Sequence, residues 1–231
     1  MKKKSIVFVT AHPDDVAFSM GGTAALLKNN YNLHIICLSS GERGYKWEGE
    51  GLPPQNQELG IQRENEEKAS AKLINANVIF LREPDGEIFA NKNVCQKVAD
   101  ILTKIRPVAA FTMGPFEKMD HSATAQITRQ ALFLSNKFWE TELYMLVPYA
   151  HSNVYNPNIY VNISDVIEEK KKQCFCHQHH LHDPSYWDKL LSENKVMGSL
   201  AIHCGYAEAF FTELPVVSSR WNRKSSSVLM F

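Results

Sequence analysis

A histidine and two carboxylates follow the first apolar run of the chain within a few residues. The run Ser5–Thr10 is predicted to be a buried strand, and His12, Asp14 and Asp15 come directly after it. His12 and Asp15 are three positions apart across a strand-to-helix turn, so an imidazole and a carboxylate can converge on one point. This pattern is typical of a metal site or of a helix cap, and the four residues His12–Asp15 alone do not decide between the two.

A catalytic zinc ion needs a third protein ligand and keeps one position open for water. His121 is the best candidate, because it also follows a predicted strand and begins a predicted helix. Two histidines and one carboxylate also suit iron(II), so the residue types predict a divalent ion, Zn²⁺ or Fe²⁺, without fixing which. Asp14 then remains beside the metal, where it is predicted to be the general base that deprotonates the attacking water.

Strand and helix patterns alternate along most of the chain. The predicted strands are Ser5–Thr10, Leu33–Ser39, Val78–Leu81, Val108–Met113 and Leu143–Tyr149. The predicted helices are Val16–Asn30, Gln57–Ile74, Val94–Ile105 and Ser122–Ser135, and beyond about Asp165 the pattern is mostly helical. This alternation predicts an α/β fold with a doubly wound, mostly parallel sheet and helices on both faces, in a single domain over residues 1–231.

Ligands of such a sheet bind outside the carboxyl ends of its strands. Acids, imidazoles and cations gather at this predicted rim. They are His12, Asp14 and Asp15 after the first strand, Glu42 and Arg43 after the second, Glu83 and Asp85 after the third, and Glu117, Lys118, Asp120 and His121 after the fourth.

The composition excludes several classes of partner. Lys plus Arg number 25, and so do Asp plus Glu, so the formal net charge is zero. The chain therefore has no overall positive charge to attract nucleic acid. The apolar run Ile6–Val9 is too short for the hydrophobic core of a signal peptide. No apolar stretch of the sequence is long enough to span a membrane. The five cysteines form no disulfide pattern, which favours a cytoplasmic location.

The segment "AHPDDVAFSMGGTAALL" closely resembles the signature of the LmbE-like, or PIG-L, family of metal-dependent de-N-acetylases. Further segments resemble the family in the same order along almost the whole chain. They are "CLSSGERG" (Cys37–Gly44), "RENEEKASAKL" (Arg63–Leu73), "MDHSATAQ" (Met119–Gln126), "ISDVIEEKKKQCFCHQHH" (Ile163–His180) and "GYAEAFF" (Gly205–Phe211).

The resemblance implies a Rossmann-like hydrolase that removes N-acetyl groups from a small substrate, mostly amino sugars such as N-acetylglucosamine and its conjugates. By motif position it implies the metal ligands His12, Asp15 and His121, the general base Asp14, and the pocket residues Arg63 and His177. Arg63 and Glu42 are the predicted substrate-binding residues. His177 or Lys118 is expected to assist with a positive charge at the oxyanion. Arg63 has an alternative role as a mere partner of Glu66 or Glu67.

The chain departs from the family pattern at three positions. Lys118 stands where the family often has the first histidine of His-x-x-His, His180 replaces the usual glutamine after His177, and Val16 replaces a glutamate. Lys118 is predicted to lie at the rim of the pocket rather than against the metal.

Other interpretations remain open. The protein could hydrolyse a non-sugar amide, or bind a metal without turnover; a nucleotide-binding role is disfavoured because no Gly-x-Gly-x-x-Gly follows a strand. The segment Cys174–Asp183 could hold a second metal, and the loop Tyr45–Pro54 could be a lid. A homo-oligomer is possible.

Overall fold

The computed structural model describes residues 3–148, 156–179, 185–201 and 203–212 of the 231-residue chain. Its strands are β1 (Ser5–Thr10), β2 (Asn32–Cys37), β3 (Ala76–Phe80), β4 (Ala109–Thr112), β5 (Glu142–Leu146), β6 (Ile159–Asn162) and β7 (Ala207–Phe211). Its α-helices are α1 (Gly21–Leu27), α2 (Gln57–Leu73), α3 (Lys92–Ile105), α4 (Met119–Leu134), α5 (Ile167–Cys174) and α6 (Ser185–Ala201).

The seven strands form one sheet in the order β3-β2-β1-β4-β5-β7-β6. Strands β1 to β5 are parallel to one another, and β7 is antiparallel to both β5 and β6. The predicted mostly parallel α/β sheet is therefore confirmed. Because the chain leaves β1 toward one edge and returns through β4 on the other side, the topological switch point lies between these two strands.

Alternation along β1 divides the core between the two faces of the sheet. Ile6 and Phe8 pack on the face covered by α1, α2 and α5, and Val7 and Val9 pack on the face covered by α3 and α4. All four side chains are buried, as a central parallel strand with helices on both sides requires. The expected helices on both faces are confirmed.

The first predicted helix, Val16–Asn30, is shorter and less regular than its pattern indicates. Residues Val16–Met20 form a π-helical turn before α1 begins at Gly21. Turns of this kind are rare and occur often at functional sites. The carboxylate of Asp15 accepts hydrogen bonds from the N–H groups of Ala11 and His12, so its bonds run back to the end of β1 and not forward into a helix cap.

Two other expectations about the elements were wrong. Helix α4 begins at Met119 and not at Ser122, so His121 lies within its first turn. Strands β6 and β7 were not predicted as strands, and β7 inserts between β5 and β6 although it is the last element in the sequence. Residue 149, the predicted end of β5, lies outside the described residues.

A buried ion pair connects β7 to two helices. Glu208 Oε1 accepts hydrogen bonds from Lys170 Nζ at 2.7 Å and from the N–H of Gly22 at 2.9 Å. Its Oε2 accepts from the N–H and the hydroxyl of Thr23 at 2.8 and 2.6 Å. The carboxylate thus occupies the N-terminus of α1, where the helix dipole favours a negative charge. Both charged side chains are 0% exposed.

We expect Lys170→Met to lower the free energy of unfolding by about 3–5 kcal/mol, because it leaves the Glu208 charge buried without its counter-ion. Urea denaturation of the wild type and the variant measures the difference. Lys172→Met is the matched control, since Lys172 is exposed on the same helix and its loss should change stability by less than about 0.5 kcal/mol. Equal stabilities for the two variants would contradict this account.

Within the described ranges, none of the helices combines the length and the hydropathy needed to cross a bilayer. The single domain over residues 1–231 stays a prediction.

A candidate metal centre at the carboxyl edge of the sheet

The side chain of Asp15 has one oxygen engaged by the backbone and one facing the centre of the site. Its Oδ2 accepts the N–H groups of Ala11 at 3.0 Å and His12 at 2.9 Å. Its Oδ1 lies 3.3 Å from His121 Nε2. Burial opposes the ionisation of Asp15, but the charge and hydrogen bonding of His121 outweigh it and lower its pKa.

His12 is held through one ring nitrogen by two carboxylates. Its Nε2 lies 3.1 Å from Asp85 Oδ1 and 3.3 Å from Asp120 Oδ2, whereas its Nδ1 is on the side of Asp15, 3.9 Å from Oδ2. Burial disfavours the imidazolium, but the hydrogen bonds that His12 donates to Asp120 and then to Asp85 raise the pKa of His12 to about 9. Nδ1 is therefore the nitrogen that His12 presents to the site.

His121 has the reverse arrangement. Its Nδ1 is bonded to Glu117 Oε2 at 2.6 Å, and its Nε2 faces Asp15. Among the residues that the structure describes, this buried Nε2 has no hydrogen-bond partner of good geometry. Burial lowers its basicity, but Asp15 first and Glu117 second raise the pKa of His121 to about 10.

The ligand atoms of His12, Asp15 and His121 lie within 4.8 Å of one another, close enough to share one ion. Two imidazoles and a carboxylate that converge on one point fit zinc or iron(II). The raised pKa values of His12 and His121 mean that the surrounding carboxylates stabilise a proton on each of the two imidazole rings. A divalent cation would satisfy the same carboxylates, since metal binding displaces protons from its ligands.

A second group of side chains, His12, Asp85 and Asp120, is equally compact. Both of its carboxylates already accept hydrogen bonds from the backbone. Asp120 accepts the N–H groups of Gly86 at 2.7 Å and Ile88 at 3.3 Å. Asp85 Oδ2 accepts the N–H of Arg43 at 2.8 Å. These bonds make Asp85 and Asp120 supports for the His12 ring, and the group that includes Asp15 and His121 fits an ion better.

Asp14 sits beside the three candidate ligands in a strained backbone conformation. Its φ is 115°, in the region that residues other than glycine rarely adopt. Its N–H donates to Glu67 Oε2 at 3.0 Å, and its Oδ2 accepts from Arg63 at 2.8 Å. The surrounding contacts therefore hold both the main chain and the side chain of Asp14.

Arg63 forms an ion pair with Asp14, a partner that was not predicted from the sequence. Besides Asp14, its guanidinium donates to the carbonyl oxygens of Gly41 at 2.8 Å and Pro13 at 3.0 Å. Gly41 has a φ of +67°, and a Cβ there would come within 2.3 Å of the guanidinium. The glycine thus lets the loop after β2 close over Arg63, which ties that loop to the turn after β1.

His177 and Glu67 form a buried pair next to Asp14. His177 is 1% exposed, its Nε2 lies 3.6 Å from Glu67 Oε2, and its ring packs edge-on against Phe18. Burial, opposed by the hydrogen bond from the Asp14 N–H, raises the pKa of Glu67 to about 8, with the charges of Asp14 and Asp15 adding to the rise. Glu67 was not selected from the sequence as a site residue; its only signal is its position four residues after Arg63, on the same helix face.

Glu42 and Lys118 are the two remaining site residues predicted from the sequence. Glu42 Oε1 accepts the N–H of Asp85, so Glu42 supports the same loop that holds His12. Lys118 precedes α4 and its side chain is exposed. The roles predicted for these two residues, and for the other site residues, stay predictions.

The segment Cys174–Asp183 is only partly described. Cys174 is buried against the carbonyl of Ala17, and His179 contacts the carbonyl of Gly44; residues 180–184, with His180 and His182, lie outside the described residues. In the described part of the chain, both groups of side chains that are close enough to share an ion contain His12.

The loop Tyr45–Pro54, predicted as a lid, carries two aromatic side chains. The hydroxyl of Tyr45 donates to the carbonyl of Pro54, and Trp47 is 43% exposed.

Comparison with known proteins matches residues 7–132 to the model of the PIG-L family, described as GlcNAc-PI de-N-acetylase. Among curated proteins, the chain is 25% identical over 198 residues to the 4-oxalmesaconate hydratase of Pseudomonas putida, covering 78% of this chain and 76% of that protein. It is 26% identical over 189 residues to the diacetylchitobiose deacetylase of Thermococcus kodakarensis, covering 76% of this chain and 69% of that protein.

Among solved structures, the chain resembles the 4-carboxy-2-hydroxymuconate hydratase of Pseudomonas putida with a TM-score of 0.77. The two are 22% identical, and the match covers 93% of this chain and 98% of the hydratase. At this identity the likeness supports the fold alone. The family match covers the turn after β1, the helix α2 and the first turn of α4, which are the elements that carry His12, Arg63 and His121.

Proposed function

The chain belongs to the PIG-L family of de-N-acetylases, and from this premise we propose that it is a metal-dependent hydrolase of an N-acetylated amino sugar or its conjugate. The observation that carries the proposal is the convergence of His12, Asp15 and His121 at the topological switch point, with Asp14 beside them. The deacetylase among the curated relatives supports a sugar-related substrate. Zn²⁺ is the proposed ion, with Fe²⁺ or another divalent ion as the alternative.

His12 Nδ1, Asp15 Oδ1 and His121 Nε2 would hold the ion. When bound, a divalent ion of this kind lowers the pKa of a water and polarises an amide carbonyl. Asp14 then accepts the proton of the water that attacks the carbonyl carbon, and passes that proton to the departing amine nitrogen as the carbon–nitrogen bond breaks. The products are acetate and the free amine.

Arg63 keeps the carboxylate of Asp14 in position for both proton transfers through its 2.8 Å ion pair. His177 is the side chain we assign to the oxyanion, since it is buried beside Glu67 and within the same group of contacts as Asp14. Glu42 supports the substrate side of the site through the loop of Asp85.

Lys118 is assigned an accessory role at the rim because its side chain is exposed. Lys118→Met should lower kcat/KM about tenfold, which corresponds to roughly 1.4 kcal/mol of transition-state stabilisation. Lys118→Arg keeps the charge and should retain most of the activity. Steady-state kinetics of amine release checks this, and a loss in Lys118→Met as large as that expected for Asp14→Asn would instead make Lys118 a catalytic group.

The test of the proposed function is a substrate panel with the zinc-loaded and iron-loaded protein. N-acetylglucosamine, diacetylchitobiose and N-acetylglucosamine conjugates represent the proposed class, and N-acyl amino acids represent a non-sugar amidase. Release of free amine and acetate from a sugar supports the proposal. Turnover of the acyl amino acids alone would favour the amidase, and tight metal binding without turnover of any compound would favour a binding protein.

Hydration of a carbon–carbon double bond is the second candidate, and the 25% identity to a hydratase over most of the chain is the observation that favours it. The same panel should therefore include a conjugated unsaturated oxo-acid. Loss of its ultraviolet absorbance without any amine release from the sugars would replace the deacetylase by a hydratase.

Two further properties belong to the proposal. A cytoplasmic location is supported by the cysteines, all five of which are free thiols. The second is assembly into a homo-oligomer, which sedimentation measurements test.

A further inference from the structure

Glu117 lies between β4 and α4, where the proposed function has no role for it. Its side chain is only 8% exposed, although it belongs to a connecting segment. The adjacent residue Lys118 is exposed, so the chain turns Glu117 inward and Lys118 outward at this point.

Each oxygen of the carboxylate has a different partner. Oε2 is bonded to His121 Nδ1 at 2.6 Å, and Oε1 accepts the N–H of Gly114 at 2.8 Å. The carbonyl of Glu117 accepts the hydroxyl of Ser122 at 2.7 Å. Glu117 thus joins the end of β4 to the first turn of α4 and to the ring of His121.

The bond to Glu117 determines which nitrogen of His121 is free to bind a ligand. A carboxylate is an acceptor, so Nδ1 must carry the hydrogen of that bond, and the lone pair of the neutral ring is then on Nε2. Nε2 is the atom that faces Asp15 Oδ1 at 3.3 Å. Carboxylates also fix the ring of His12, but through the opposite nitrogen. Asp85 and Asp120 contact its Nε2, which leaves Nδ1 on the side of Asp15.

We infer that Glu117 is a positioning residue for the metal: it fixes the tautomer and the orientation of His121 so that Nε2 is presented to the ion. The inference rests on the metal site of the proposed function but not on the reaction that the site performs. Carboxylates that bond to the second nitrogen of a ligating histidine typically change metal affinity by about 10–100-fold when they are removed.

Only a carboxylate satisfies both of its partners. Glutamine has the same shape but offers one acceptor oxygen and one NH₂ donor, so its NH₂ must face either the Gly114 N–H or the His121 Nδ1–H. In either orientation one of the two donors loses its acceptor. Glu117→Gln therefore tests the chemistry of the carboxylate with little change in volume.

The experiment measures zinc affinity by competition with a chromophoric chelator for the wild type, Glu117→Gln and Glu117→Ala. We expect the affinity to fall about tenfold in Glu117→Gln and up to about 100-fold in Glu117→Ala. Glu140→Gln is the control, since Glu140 is exposed and paired with Lys137 on the surface, and its affinity should equal that of the wild type. Thermal melts of the metal-free proteins establish that each variant is folded.

A second readout reports the tautomer directly. In ¹⁵N NMR spectra of the zinc-loaded wild type, His121 should show a protonated Nδ1 and a metal-bound Nε2, and Glu117→Gln should weaken or shift the Nδ1–H signal. Unchanged zinc affinity in folded Glu117→Gln and Glu117→Ala, or a zinc-bound Nδ1 in the wild type, would overturn the inference. Neither readout uses a substrate, so a protein that binds zinc as expected but deacetylates nothing would contradict the proposed function and leave this inference intact.

Discussion

Asp14→Asn should reduce kcat by about 10²–10⁴-fold, the usual contribution of a positioned general base, while the protein keeps its metal and its fold. The asparagine amide cannot accept a proton at neutral pH. Since the proton acceptor acts in the transition state and not in substrate binding, kcat and kcat/KM should fall together and KM should change little.

The geometry around Asp14 makes this substitution a clean test. The asparagine oxygen can still accept the hydrogen bond that Arg63 gives at 2.8 Å, and the main-chain bond to Glu67 is unaffected. Asparagine has nearly the same shape and volume as aspartate, so the substitution should add little strain to the main chain at its φ of 115°. A loss of rate therefore reports the missing proton acceptor rather than a displaced turn.

Asp100→Asn is the matched control for Asp14→Asn. Asp100 is exposed on α3, which covers the sheet below its carboxyl edge, and its substitution should leave kcat unchanged. Elemental analysis should give the same metal content for both variants and the wild type. A near-normal kcat in Asp14→Asn would mean that another carboxylate, with Glu42 and Asp120 as the candidates, takes the proton.

The parts of the site that sequence reasoning predicted are those that are contiguous or that end a strand. His12, Asp14 and Asp15 come within four residues of each other after β1, so their proximity follows from the chain itself. His121 could be added because parallel strands end at the same edge of a sheet, which brings the residues after β4 to those after β1.

The supporting residues could not be predicted in the same way. Asp85 and Asp120 were recognised as rim residues, but their bonds to His12 depend on how the loop after β3 folds onto the turn before α4. Glu67 approaches Asp14 only because α2 packs beside the turn after β1. Many acidic residues occupy similar sequence positions, and only tertiary packing distinguishes a buried support from a solvated charge.

The end of the sheet was missed for a related reason. Strand β7 is five residues long and follows a helix, and its pairing with both β5 and β6 is antiparallel and distant in sequence. A short apolar run does not indicate by itself whether it forms a strand or a helix. The Lys170–Glu208 pair that anchors this strand likewise joins residues 38 positions apart.

His121→Ala should remove most of the bound metal, and with it the activity. The wild type should bind about one zinc ion per chain, since a catalytic site of this type takes three protein ligands. Removal of one imidazole leaves Asp15 and His12 as the only members of the proposed ligand set. It also leaves the carboxylate of Glu117 without the imidazole that it bonds at 2.6 Å.

The measurement is elemental analysis after stripping with a chelator, reloading with excess zinc and removal of the unbound ion. His34→Ala is the control, because His34 lies on β2 away from the carboxyl edge and its loss should leave the metal content unchanged. Full occupancy in His121→Ala would place the ion elsewhere. The group His12, Asp85 and Asp120 is intact in that variant and would be the first alternative, which Asp85→Asn would then deplete, whereas retention in both variants would direct attention to the segment Cys174–Asp183.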